Sequence, residues 1–102
     1  MNLSFSDRVE IPKHVLLRAL DKECVLLSLQ AEIYYGLDEV GTRMWEAVTT
    51  APNIQSAYEQ LLSEFDVEAD KLRQDLLVLL ERLVDRGLLR IHSVEVPSAP
   101  TT

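Results

Sequence analysis

A single cysteine, Cys24, leaves the chain without a partner for an internal disulfide, so its fold must rest on packing alone. Cys24 stands among Val25, Leu26 and Leu27, and a buried structural thiol is expected there, because free cysteine is among the most buried residue types. The only glycines are Gly36, Gly41 and Gly87, which excludes a glycine-rich phosphate loop. The two histidines, His14 and His92, lie near opposite ends with no Cys or carboxylate at ligand spacing, so packing or surface roles are expected and no metal. No Ser-His or Cys-His arrangement signals nucleophilic catalysis, and neither an enzyme nor a cofactor is expected. No apolar run approaches the ~20 residues of a membrane span. The segment Met1 to Asp7 lacks the basic and apolar regions of a signal peptide, so the reading is a cytoplasmic protein with no membrane contact. Basic residues are scarce too. Ten Lys and Arg against seventeen Asp and Glu give a formal charge of −7 with no cationic cluster, a field that repels nucleic acid.

What remains is the composition of one globular domain: 102 residues, 47% of them hydrophobic and 26% charged. The chain is organised around residues 32–46. Ile33, Tyr35 and Leu37 alternate with Glu32, Tyr34 and Gly36, the period of a strand with two unlike faces. From Asp38 the period becomes helical, with Val40, Met44, Trp45 and Val48 on one stripe, Asp38 as N-cap and Glu39 in the first turn. Before this joint, Val15 to Leu20 and Cys24 to Leu29 read as two strands joined by Asp21, Lys22 and Glu23, and Ala31 to Leu37 as a third. In a meander, the third strand is an edge offering unpaired N–H and C=O groups to another chain.

After the joint come helices. The first stops before Pro52, Asn53 caps a second, and Ile54, Ala57, Tyr58, Leu61, Leu62 and Phe65 form its apolar face. A third runs from Ala69 to Arg86 with Gly87 as C-cap, Leu88 to His92 can add a short strand, and residues 93–102 read as a disordered tail. The third helix carries more apolar surface than one packing face needs. Leu72, Leu76, Leu79 and Leu83 form a core stripe, while Leu77, Leu80 and Val84 form a second flank, interrupted by Arg73 and bordered by Asp70, Gln74 and Glu81. That flank either packs on the sheet or walls a groove for a peptide added to the edge strand.

The segment from Tyr34 to Trp45, followed by Ala57 to Val67 and then Asp75 to Leu89, closely resembles the PqqD-like family, the recognition elements of ribosomally made, post-translationally modified peptides. The three blocks come in the family's order and the resemblance covers roughly residues 11–90 within a domain spanning residues 1–92. It implies an α+β, winged helix-turn-helix-like fold, a three-stranded antiparallel sheet followed by three helices. It also implies that a precursor's leader region adds to the third strand at Ala31, Glu32, Ile33, Tyr34, Tyr35 and Gly36. The helix wall would be Asp70, Arg73, Gln74, Leu77, Leu80, Glu81 and Val84, with Leu77 and Leu80 forming a pocket for an apolar leader side chain and Asp70, Arg73 and Glu81 bonding at its rim. A register error of one residue would exchange Tyr34 and Tyr35, so either can face the groove. The Tyr34 to Gly41 block looks most like the free-standing proteins of lasso-peptide pathways. These relatives imply a non-catalytic adaptor whose partners are the leader peptide, a transglutaminase-like leader peptidase and the cyclase. The alternatives are a pyrroloquinoline-quinone-type chaperone for a radical SAM enzyme, a winged-helix DNA-binding protein, and a small subunit that dimerises through its open edge.

Overall fold

A computed structural model of the chain describes residues 3–92, so the expected tail at 93–102 lies outside the described residues. Its order is β1 (Arg8–Glu10), β2 (Val15–Leu20), β3 (Glu23–Ser28), β4 (Ile33–Leu37), α1 (Glu39–Thr50), α2 (Ile54–Glu64), α3 (Ala69–Asp85) and β5 (Arg90–His92). This is the α+β arrangement the sequence implied, a three-stranded antiparallel sheet followed by three helices.

The main sheet has the order β2-β3-β4, a meander with β4 at one edge. Asp21 and Lys22 turn the first hairpin, and Asp21 takes φ 62°, a left-handed conformation that Asp tolerates. The third strand starts two residues later than its apolar run suggests. Ala31 and Glu32 belong to the β3–β4 turn, where Glu32 takes φ 56° and both backbone N–H groups are held by Ser28: Ala31 donates to the Ser28 hydroxyl at 3.1 Å and Glu32 to its carbonyl at 2.8 Å. Ser28 is buried, and its hydroxyl and carbonyl are thereby satisfied.

The register fixes the faces. Leu26 lies opposite Tyr35 and Leu27 opposite Tyr34. Cys24, Leu26 and Ser28 are buried, so Ile33, Tyr35 and Leu37 share the core side of the sheet, and Tyr34, 78% exposed, stands on the outer side.

The joint forms as expected. The Asp38 carboxylate accepts from the Gly41 N–H at 2.7 Å, closing the first turn of α1. Gly41 suits the closeness, because a Cβ there would come within 3.2 Å of Leu37 Cδ2 and 3.3 Å of Asp38 Oδ1. Met44, Trp45, Ala47 and Val48 are buried, but Val40 is 49% exposed: in the first turn it lines an open cleft with Phe65 and Val67 and does not reach the core. Asn53 caps α2 by accepting from the Ser56 N–H at 2.7 Å, and Ile54, Ala57 and Leu61 are buried. Arg43 ties α1 to α2, its Nε donating to Glu64 Oε1 at 2.7 Å. That hydrogen bond holds the Glu64 carboxyl below the usual carboxylate range and raises the Arg43 guanidinium.

Helix α3 ends at Gly87, with φ 74°. The Leu88 N–H donates to the Leu83 carbonyl at 2.8 Å and the Gly87 N–H to that of Val84 at 3.0 Å, the paired bonds of a Schellman motif. This stop redirects the chain into the expected extra strand, β5, whose partner is the unforeseen β1, through Arg8–His92, Val9–Ile91 and Glu10–Arg90. Phe5 packs edge-on against Tyr58 with ring centroids 5.6 Å apart. No helix among the described residues is long and apolar enough to cross a membrane.

Candidate functional site

Two features of the fold lie open, the outer edge of β4 and one flank of α3, and they meet at the C-terminal end of the helix, where Arg86 reaches Tyr35. At 100° per residue, Asp70, Gln74, Leu77, Glu81 and Val84 fall within an arc of about 80°. Leu77 and Val84 rest half-buried against the core, while the three polar residues are exposed. This gives α3 a strip with two apolar contacts and a polar margin.

Two residues assigned to that wall stand elsewhere. Leu80 is 0% exposed and belongs to the core together with Leu76 and Leu83, so it presents no surface to a ligand. Its position, about 60° around the helix from Leu77, puts it on the core side of the boundary. Arg73 sets its guanidinium 4.1 Å over the Phe5 ring, a cation–π contact with the N-terminal segment, so it is engaged away from the rim role foreseen for it.

On the strand side, Tyr35 is half-buried and lies beneath Arg86, whose guanidinium is 5.2 Å from the ring centroid. Arg86 follows α3 directly and links the helix to the edge strand. It was missed because the helical stripe stops short of it; a cation at the helix C-terminus, able to reach an aromatic strand, is the signal that could have found it. Below this contact an open cleft of about 750 Å³ brings Ala31 of the β3–β4 turn together with Val84 of α3, along with Arg86, Leu89 and Ile91. Glu32, Ile33 and Tyr34 border a separate cleft beside Leu27 and Leu29. Glu81 faces solvent next to Arg82 and Asp85, and Gly36 is exposed opposite Val25. Thus Ala31, Tyr35 and Val84 converge around Arg86, whereas Tyr34 faces away.

Chemically, the arrangement can offer main-chain hydrogen bonds along β4 and apolar contact from α3. The titration shifts lie in exposed ion pairs, Arg43–Glu64 and Glu10–His92, where the His92 hydrogen bond lowers the Glu10 carboxyl.

These elements define a class, the winged helix-turn-helix-like modules in which an open strand edge runs beside a helix wall. The family model for coenzyme PQQ synthesis protein D (PqqD) matches residues 23–89, and the chain belongs to the PqqD family. Among solved structures it is similar to TbiB1 in complex with the TbiA(beta) leader peptide, at 28% identity and a TM-score of 0.74, over 89% of this chain and 99% of that one. It is also similar in fold to lasso peptide synthetase B1 complexed with the leader peptide, at 18% identity and a TM-score of 0.73, over 81% of this chain and 98% of the other. No curated protein matches the chain by sequence.

Proposed function

We propose that this chain is a non-catalytic adaptor of lasso-peptide biosynthesis: it binds the leader region of a ribosomal precursor as an added strand on β4 and presents it to a leader peptidase. The observation carrying this reading is the free β4 edge that Arg86 and Val84 join to the half-buried apolar flank of α3, in a chain similar over most of its length to a protein solved with a leader peptide. Main-chain pairing supplies affinity and the helix side chains supply selectivity. Ala31, Tyr35, Leu77, Val84 and Arg86 are the central contacts. Ile33 and Gly36 contribute backbone, and Asp70, Gln74 and Glu81 form the margin.

Holding the leader raises the effective concentration of the cleavage site at a transglutaminase-like peptidase, with the cyclase acting on the released core. The work is that of a cytoplasmic protein. The family's name favours a second reading, a chaperone for quinone biosynthesis. A co-encoded radical enzyme would select that reading; a co-encoded peptidase and an asparagine-synthetase-like cyclase would select the lasso pathway.

The direct test is fluorescence polarisation with the labelled TbiA(beta) leader. Leu77→Glu is expected to weaken leader binding by about tenfold or more, the cost of placing a charge against an apolar contact. Leu80→Ala is the contrasting variant, expected to cost roughly 2 to 5 kcal/mol of stability in urea unfolding through the core. Unchanged binding by a folded Leu77→Glu protein would place the groove elsewhere.

A further inference from the structure

The cleft at the end of the groove differs in charge from the rest of this acidic molecule. Four cationic or protonatable side chains line it, His14, Arg86, Arg90 and His92, and no Asp or Glu does. Each of four other clefts is bordered by at least one carboxylate: Glu32 in one, Glu81 and Asp85 in the next, Glu39, Glu46 and Glu64 in a third, Asp66 and Asp75 in the fourth. In a chain carrying seventeen acidic residues, a cleft of about 750 Å³ without one is a local reversal of the field.

The cations are also available. Among the described residues Arg86 and Arg90 form no ion pair. Arg86 is steadied from one side by the Tyr35 ring, which keeps its guanidinium near the edge of β4. Glu10 holds His92 by a hydrogen bond and faces Arg90 across the β1–β5 ladder, its carboxylate outside the cleft lining, which leaves Arg86 as the cation with no carboxylate partner in the ladder. The floor is apolar, from Ala31, Val84, Leu89 and Ile91. An apolar floor beneath two guanidiniums fits a side chain with a short aliphatic stem and a carboxylate tip, since Arg donates in a planar fork that matches carboxylate geometry.

We propose that this cleft is a carboxylate subsite of the peptide groove, taking an Asp or Glu side chain at the end of the leader strand that passes the β3–β4 turn. The site follows from position as well as charge: Ala31 leads into β4 and Val84 belongs to the α3 wall, so a strand paired with β4 runs out over the cleft. The −7 molecule disfavours acidic peptides at long range, and the cleft supplies the local exception, so that acidity is accepted at one leader position only. This selectivity rests on the leader-binding reading, and its test separates the two.

In fluorescence polarisation, the TbiA(beta) leader is replaced one residue at a time by Glu or by Gln. At one or two adjacent positions at one end, the Glu peptide is expected to bind about threefold or more tighter than its Gln counterpart, the scale of an exposed charge pair. In the Arg90→Gln protein that difference shrinks while the Gln peptides still bind within about twofold of their original affinity, in the Arg86→Gln/Arg90→Gln protein it disappears, and Arg86→Lys/Arg90→Lys retains the preference. Equal affinities at every position, or a Glu preference that survives the double Gln substitution, would overturn the subsite. A second measurement needs no leader. Titration with acetyl-Glu-Glu-Glu-amide is expected to move the backbone amide resonances of Ala31, Gly87, Leu89 and Ile91, and the Gln tripeptide is not. Shifts confined to the cleft in a protein that binds no leader would uphold the carboxylate site and dismiss the leader reading; no shifts there would dismiss the site.

Discussion

Gly87 carries a conformational demand that few residues can meet. Its φ of 74° lies in the left-handed region, yet nothing stands within 4 Å of where a Cβ would be, so any substitution suffers from backbone strain and not from a clash. Gly87→Ala is expected to lower stability by about 1 kcal/mol in urea unfolding, with no change in the number of residues that unfold together. Glu64 acts through charge. Its folded carboxyl sits below the ordinary range because Arg43 donates to it, so the tie stabilises the fold above that range and is lost as pH falls through the depressed value. Glu64→Gln should therefore flatten the fall in thermal midpoint below about pH 5 and leave the neutral-to-alkaline limb parallel to that of the parent. At this scale the caps were legible, because Asp38, Asn53 and Gly87 each have a side chain, or the lack of one, suited to a local backbone need. Glu32 was not legible: its left-handed turn is held by the bond its own N–H donates to the Ser28 carbonyl, beside that of the Ala31 N–H to the Ser28 hydroxyl, and Glu carries no preference announcing it.

Among the elements, β4 and α3 show where periodicity succeeds and where it stops. The alternation in β4 identified two faces, but which face meets the helices depended on register with β3, and Leu26 opposite Tyr35 decides it. Tyr35→Ser is accordingly expected to weaken leader binding several-fold by removing the ring under Arg86, while Tyr34→Ser, on the outer side, leaves binding within about twofold and stability within ~0.5 kcal/mol; polarisation and urea unfolding check both. On α3 the excess of apolar surface was legible, and its partition was not. Leu80 and Leu77 are close neighbours on a helical wheel, yet one is sealed in the core and the other lies half open, because the boundary is drawn by the elements packed against the helix. Strand β1 escaped notice for a different reason: Arg8-Val9-Glu10 is too short to show a period, and its pairing with β5 joins residues eighty or more positions apart.

Taken whole, the molecule stands on one core with the N-terminal segment as part of it. Phe5 and Val9 are both buried, Ile54 and Gln55 donate backbone hydrogen bonds to the Asp7 and Phe5 carbonyls, and Arg73 caps the Phe5 ring. Phe5→Ala is expected to cost about 3 kcal/mol, read as a lower urea midpoint, although the residue lies well before the main sheet. The pairing of β1 with β5 has a mechanical consequence. Arg8 faces His92 at the mouth of this ladder and Glu10 faces Arg90 at its inner end, so a pull on the two ends of the chain bears on one rung at a time, as on a zipper. Load applied through a fused or tethered partner at both ends would draw on the Phe5 and Asp7 anchors to α2 and part these three rungs in sequence, and because Arg90, Ile91 and His92 also line the cleft beside Val84, tension would open that cleft before it reached β4.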